Sequence, residues 1–303
     1  MTGRPFRALR RIEIVTHCVP VLDDCVRAYR DLLGFRVVDE GPVPKILCEA
    51  WDTPAMEGLP SAVLQPASGA EVYLRFIETG NTSGYWPPVT QGWIATEMLA
   101  THPDELTEQL DGTVFRRIGG PADLYPGPKS ARAMQTAVPA GELMYFTRIL
   151  PGGSRFGLKG AQSYVDQPFI MLVGCDSMEK LTKFYGDQLS QRVVESAPFK
   201  IDQMSRVLGA EPGTTYPVSL AVIPGRQFLL ELEELPAHLQ RRHRPEGQLP
   251  EGLAMVSFGS ADHDSLDLEF RAPPRPVGLA PYNGRPVAVA EGPAGEWLEL
   301  VAP

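Results

Sequence analysis

One relation inside the chain limits its fold more than any other. Residues 25–40, CVRAYRDLLGFRVVDE, return as residues 181–196, LTKFYGDQLSQRVVES, at a constant offset of 156. Six of the 16 positions are identical: Tyr29/Tyr185, Asp31/Asp187, Leu33/Leu189, Arg36/Arg192, Val37/Val193 and Val38/Val194. Pro139-Ala140-Gly141-Glu142 returns as Pro293-Ala294-Gly295-Glu296 at an offset of 154. Matches this far apart, with nearly the same spacing, indicate duplication of a unit of about 150 residues.

Each half divides again. Residues 11–19 read as a strand. Residues 23–33 place Val26, Tyr29, Leu32 and Leu33 at helical spacing, with Asp23 or Asp24 as the expected cap and Gly34 as the stop. Strand-like runs come next at 35–39, 62–65 and 72–77, which gives the order β-α-β-β-β. The order restarts with a strand at 93–99, a helix at 102–110 and strands near 114–118, 134–138 and 143–149. It returns from Phe169, with a helix over 177–188 and strands at 192–195, 218–223 and 228–233. The last unit, from Gly252, is irregular: 265–270 is a poor helix, and Pro273, Pro274 and Pro276 interrupt the segment after it. The expected fold class is α+β, with four βαβββ modules in two domains, 1–150 and 168–303. Residues 151–167 are the expected linker and 236–250 a second connection.

Composition narrows the partners. The net charge of −9 argues against a phosphate backbone as ligand. No apolar run is long enough to span a bilayer. The basic start (Arg4, Arg7, Arg10, Arg11) lacks the apolar stretch of a secretion signal. Cys18, Cys25, Cys48 and Cys175 have no CxxC spacing. The expectation is a cytoplasmic protein with reduced thiols, monomeric or homodimeric, whose partner is a small molecule and not a membrane or nucleic acid.

The layout resembles the vicinal oxygen chelate superfamily, which includes glyoxalase I, type I extradiol dioxygenases and the fosfomycin and bleomycin resistance proteins. The resemblance covers nearly the whole chain. Its local carriers are Tyr29-x-Asp31-x-Leu33-Gly34-Phe35, Phe184-Tyr185-x-Asp187-x-Leu189, and the strand endings Gly225…Leu230-Glu231-Leu232 and Gly295-Glu296-Trp297-Leu298-Glu299-Leu300. It implies that paired modules form cup-shaped mixed sheets around a substrate cavity, usually with a divalent metal on the floor. Two cups are expected, modules one and two in the first, three and four in the second.

The ligand positions implied by the resemblance fall on Ile14 (or Glu13), Trp93, Phe169 (or Ile170) and Leu253 in the first strands. In the last strands they fall on Arg75, Tyr145, Glu231 and Glu299. The set lacks the two histidines of an extradiol dioxygenase. No metal is assigned; the remaining option is Mg²⁺ or Mn²⁺ on Glu231 and Glu299, since those ions accept oxygen shells.

The candidate catalytic residues are therefore Glu231, Glu299 and His17. The alternatives are outward-facing glutamates on amphipathic strands and a structural histidine. Cys18 cannot form a dyad with His17, because neighbours on a strand point to opposite faces. The candidate substrate-binding residues are Arg75, Trp93, Tyr145, Glu97 and Tyr73, with Arg75 binding an anionic oxygen and the rings stacking on a planar substrate. The bland alternative pairs Arg75 with Glu97 or Glu13. The expected function is that of a metal-independent lyase or isomerase for a small aromatic or carbonyl compound, using a carboxylate or His as acid and base and Arg75 with Tyr145 at the oxyanion. The alternatives are a non-catalytic drug-sequestering protein and a metal enzyme on Glu231 and Glu299.

Overall fold

The structure, a computed structural model, describes residues 7–80, 87, 89–138, 141–224 and 227–303. Arg4, the Pro139-Ala140 part of the second repeat and Gly225 lie outside them. Module one comprises β1 (Leu9–Val19), α1 (Leu22–Arg27), β2 (Arg36–Pro42), α2 (Lys45–Trp51), β3 (Pro60–Gln65) and β4 (Tyr73–Glu78). Module two comprises β5 (Thr90–Ala100), α3 (Pro103–Leu110), β6 (Arg116–Asp123), β7 (Arg132–Ala137) and β8 (Leu143–Arg148). Module three comprises β9 (Val165–Cys175), α4 (Met178–Thr182), β10 (Arg192–Val193), β11 (Ala197–Lys200), α5 (Asp202–Leu208), β12 (Thr215–Ile223) and β13 (Phe228–Glu234). A short strand β14 (Gln240–Arg241) leads to module four: β15 (Gly252–Ser260), β16 (Arg275–Pro276), β17 (Pro286–Glu291) and β18 (Trp297–Val301). Module four has only a 3₁₀ turn, His263–Ser265, where the others carry a helix.

Local chemistry explains the helix ends. Asp23 and Asp24 do not cap α1; they lie inside its first turn, where they complement the helix dipole. The chain then widens into a π-turn, Ala28–Leu32, and Gly34 stops it at φ +76°. At the matching place in module three, the Ser177 side chain accepts a hydrogen bond from the Lys180 amide and caps α4.

The module pairing differs from expectation. The eight-stranded sheet runs β16-β17-β18-β15-β1-β4-β3-β2, and the ten-stranded sheet runs β10-β12-β13-β9-β5-β8-β7-β6, with β11 added beside β12 and β14 beside β5. Module one therefore joins module four, through antiparallel β1 and β15, and module two joins module three, through antiparallel β5 and β9. Each cup draws one module from each half, so the 151–167 connection separates duplicated sequence units, not sheets.

The physical reason lies in the residues that the repeat preserves. The Tyr29 hydroxyl donates to Glu142 (3.3 Å) and the Tyr185 hydroxyl to Glu296 (2.9 Å), all four side chains buried. Each bond ties the helix of an odd module to the β-turn of the next module, back to back. Gly292 is needed in one of those turns, because an added Cβ would lie 2.1 Å from Glu296. With consecutive modules held by their backs, their edges pair with the other half. One continuous apolar core covers both convex faces, from Ile12, Val15 and Phe76 to Phe146, Val173 and Leu230. The concave face of the eight-stranded sheet carries a separate cluster, whereas that of the ten-stranded sheet stays continuous with the core through Ile170, Leu172 and Leu229. No helix among the described residues is long and apolar enough to cross a membrane.

Candidate active site in the second cup

Strand alternation decides which side chains reach each floor. In the eight-stranded sheet, Leu74, Phe76, Leu298 and Leu300 belong to the shared core, so Tyr73, Arg75, Trp297 and Glu299 face the concave side. Ile14 and Ser257 pair across β1 and β15, and Ser257 pairs with Glu299. This first cup is full. α2 lies in it, and Trp51, Leu47, Met56, Val277, Tyr282 and Val287 form a separate apolar cluster with Ile14, Met255 and Trp297.

Glu299 is fully buried beneath that cluster. It accepts from Trp51 Nε1 (2.5 Å), from the Tyr282 hydroxyl (2.8 and 3.0 Å) and from Ser257 Oγ. Arg75 sits between the Trp51 and Tyr282 rings, at 5.1 and 5.4 Å from their centroids. Burial alone would lower its pKa, but Tyr282 and Glu299 hold it above the ordinary value. Tyr73 lies outward of Arg75 on the same face and lines a groove of about 350 Å³ with Arg285 and Asn283. Glu13 is paired with Arg285 (2.8 Å) and Arg11 (2.9 Å), not with Arg75.

The second cup is different. Leu230 and Leu232, Met144 and Phe146, and Ala221 and Ile223 enter the shared core. Their neighbours Leu229, Glu231 and Glu233, Tyr145 and Thr147, and Leu220 and Val222 therefore face the concave side. Glu97 joins them from β5, in register with Tyr145 on β8 and Ile170 on β9. Glu97 and Glu233 are buried, whereas Glu231, Tyr145 and Leu220 remain half-buried and touch solvent.

The electrostatics of this floor are unusual. Burial pushes the Glu97 carboxyl up to about 8, against the opposing hydrogen bond from Thr147 Oγ1 (2.5 Å) and with a further push from Glu231. Glu231 and Glu233, two apart on one strand and so on one face, lie in hydrogen-bond reach of each other. Burial raises both, and the charge of Glu233 pushes Glu231 up further, while the hydrogen bond from Glu231 works against the rise at Glu233. The Tyr145 phenol is raised too, by burial and then by Glu233, Glu231 and Glu97. Among the described residues, the charges that act on these four groups are those of the carboxyls themselves.

The candidate residues therefore redistribute. Arg75, Tyr73 and Glu299 belong to the first cup; Tyr145, Glu97 and Glu231 belong to the second. Arg75 and Tyr145 stand on different sheets and cannot hold one oxyanion together. Trp93 reaches neither floor group: its Nε1 donates to the Trp297 carbonyl (2.9 Å), and its ring lies 6.2 Å from that of Phe258, between the sheets. His17 points to the convex side, stacked on Phe76 and 3.6 Å from Glu142. Burial, then Arg242, lower its pKa to about 3, so it is a neutral core side chain.

Glu233, Thr147, Trp51 and Tyr282 were not expected at the floors. Glu233 carries a readable signal, since strand period two puts it beside Glu231. Trp51 and Tyr282 come from connections, which strand alternation does not describe.

The metal usual in cups of this kind does not fit either floor. In the first, the floor carboxylate Glu299 is already engaged by three donors and faces a fixed guanidinium. In the second, carboxylates stand without nitrogen ligands, and among the described residues no group of three His, Cys, Asp or Glu converges as a metal-binding set. Glu231 and Glu299 lie on different sheets, so the Mg²⁺ or Mn²⁺ option resting on that pair is withdrawn. The four cysteines are buried and free.

No family model and no curated protein matches the sequence. Solved structures do. Glyoxalase I from Zea mays superposes with a TM-score of 0.62 at 14% identity, over 96% of this chain and 92% of that one. A candidate dioxygenase from Bacillus subtilis superposes with a TM-score of 0.63 at 10% identity, over 98% of this chain and 86% of that one.

Proposed function

We propose, for a chain that has the four-module vicinal oxygen chelate fold, a metal-independent lyase or isomerase that moves a proton on a small aromatic or carbonyl compound in the second cup. The observation that carries this reading is the floor of Glu97, Glu231, Glu233 and Tyr145, where burial keeps carboxyls protonated near neutral pH and a half-buried carboxyl still meets solvent. General acid–base chemistry needs groups whose pKa lies near the working pH, in both protonation states, within reach of one ligand.

The roles derive from exposure. Glu231, in its ionised form, takes the proton from a carbon next to a carbonyl. The electron pair moves onto the carbonyl oxygen, where the Tyr145 hydroxyl and the protonated Glu97 donate hydrogen bonds. In a β,γ-unsaturated carbonyl compound Glu231 returns the proton to the γ-carbon as the carbonyl re-forms and the double bond moves into conjugation, which isomerises the substrate. Where the β-carbon bears a leaving group, the carbonyl re-forms, the enolate pair makes the α,β double bond and the substituent leaves with its own bonding pair, which makes the step a lyase reaction. Glu233 shares the proton with Glu231 and keeps that carboxyl poised between its two states. Ile170, Leu172 and Leu229 supply an apolar bed around these groups.

The test is exchange chemistry. The protein is incubated in D₂O with a panel of aromatic and carbonyl compounds, with and without EDTA, and deuterium incorporation is read by NMR. Exchange that survives EDTA and disappears in Glu231→Gln is expected. Stoichiometric binding of panel compounds without exchange would instead support a sequestering protein, and loss of exchange with EDTA would overturn the metal-independent reading.

A further inference from the structure

The repeat-matched Arg192 and the unanticipated Arg155 line one cavity of about 400 Å³, together with Phe156, Val194 and Val222. Register fixes its place in the fold. Val193 packs against Gly186 on the helix side of the sheet, so Arg192 and Val194 face the concave side. Arg192 pairs with Val222, Val222 with Leu229, Leu229 with Ile170, and Ile170 with Glu97. One cross-strand row thus runs from Arg192 to the acidic floor. Arg155 and Phe156 arrive from the opposite module, on the loop after β8.

Neither guanidinium makes an ion pair or a hydrogen bond to a described residue. Arg155 lies over the Phe156 ring at 4.8 Å, which holds its planar group in place. Two cations turned to one cavity repel each other unless something negative lies between them. The paired cations sit over apolar walls, and the same concave surface carries the carboxyls of Glu97, Glu231 and Glu233 further along the row. A ligand in that cup meets opposite electrostatics at its two ends.

We propose that Arg155 and Arg192 form an anion-binding subsite at the mouth of the second cup, which takes the carboxylate or phosphate of an elongated, partly apolar substrate. The identity of the reacting end rests on the proposed lyase or isomerase function; the anion subsite does not. Four strand steps separate Glu97 from Arg192, about 19 Å along the curved sheet at ~4.8 Å per step. Curvature and the long arginine side chains shorten the gap that the substrate must bridge. The anionic end then stays at the arginines, and the carbonyl end lies among Glu97, Tyr145 and Glu231. Bidentate donation is what arginine offers a carboxylate or phosphate, and lysine would not replace it.

The experiment uses 3-phenylpropionate, its neutral amide and phenyl phosphate as probes, with binding to the full chain measured by calorimetry or ligand-observed NMR. The carboxylate is expected to bind at least tenfold more tightly than the amide. The Arg155→Gln/Arg192→Gln double variant is expected to lose at least tenfold for the anions and to leave the amide unchanged; both residues are exposed, so the fold does not depend on them. Comparing the carboxylate with phenyl phosphate tells which anion the subsite prefers. Equal binding of acid and amide, no binding of either anion, or anion binding unchanged in the double variant would overturn the proposal. Glu231→Gln is a separate arm: it should retain anion binding and lose exchange. If exchange is absent in every protein while the arginines still govern anion binding, the function falls and the subsite stands.

Discussion

On the floor of the first cup, Ser257 and Glu299 are fully buried and Arg75 is 4% exposed. On the floor of the second, Glu231 and Tyr145 still meet solvent. The main strand order of the two cups matches, and the odd module of each carries an extra helix, α2 before β3 and α5 before β12. What differs is how far that helix reaches. α2 ends in Trp51, which passes to the floor and donates to Glu299. α5 ends in Leu208 and packs, through Met204 and Ile201, on Tyr216, Leu235 and Leu239 at the side of its cup. One cup has become a hydrophobic core with a buried, fully partnered carboxylate. The other keeps carboxylates without counter-charges, a state that costs stability and persists most readily where a ligand uses it.

The sharpest way to break this comparison is to exchange acids for amides in each cup. Glu97→Gln and Glu231→Gln should each lower turnover by about 100-fold or more, the usual scale for a lost acid or base. Glu299→Gln should leave the rate of exchange unchanged and lower the melting temperature. A loss of turnover in Glu299→Gln would place the chemistry in the first cup and reverse the assignment.

Next in size is packing. Trp51→Ala opens the filled cup and strips Glu299 of a donor, so a loss of about 3–5 kcal/mol in unfolding free energy is expected. Leu220→Ala, on the open floor, should cost about 1 kcal/mol, because a half-buried leucine recovers only part of its transfer free energy on folding. Denaturant melts of the two variants measure both values. Similar losses would mean that the second cup is as filled as the first.

The pH dependence of stability tests the buried acids together. Glu97, Glu142 and Glu296 have carboxyls raised from 4.5 to about 8, 7 and 7, each mainly by burial. A raised acid binds its proton more tightly when folded. Between the unfolded and the folded pKa, the native state holds more protons than the unfolded chain, so stability falls as pH rises. The protein should therefore lose stability steadily from about pH 5 to pH 8 in urea melts. Glu97→Gln should flatten the upper part of that slope. A stability that rises over this window would show that these carboxyls are ionised and paired in solution.

How far residues alone reveal such a chain depends on where the information sits. The repeat and strand periodicity are local, so the modules could be read from them; the inward positions of Arg75, Tyr145, Glu231 and Glu299 needed the family resemblance as well. Which module pairs with which is a long-range property. Tyr29 and Glu142 are 113 residues apart, and Tyr185 and Glu296 are 111 apart. The motif that identifies the repeat is a set of clamps between modules, and reading it as a mark of the site draws Arg75 and Tyr145 into one cup. Arg155 illustrates a second limit: it lies in a connection with no period, and only the returning chain brings it to Arg192.

The smallest effect concerns those clamps, and it bears on whether cups and backs act independently. Tyr185→Phe removes a 2.9 Å hydrogen bond to Glu296, which also accepts from the Ala294 amide at 2.8 Å. Tyr29→Phe removes a longer one, 3.3 Å, to Glu142, whose Oε2 has no hydrogen-bond partner among the described residues. A buried hydrogen bond contributes about 1 kcal/mol net, so Tyr185→Phe should cost about that much and Tyr29→Phe less. Burial raises both carboxyls to about 7, so each is in part neutral at that pH; loss of a hydroxyl then strands less charge, and neither variant should unfold the chain. Exchange in the second cup should be unchanged in both, because the shared core separates the clamps from Glu97 and Glu231. If Tyr185→Phe slows exchange in step with the stability it loses, the modules' backs tune the open floor, and the contrast between the cups is a property of the whole molecule and not of Trp51 and its neighbours.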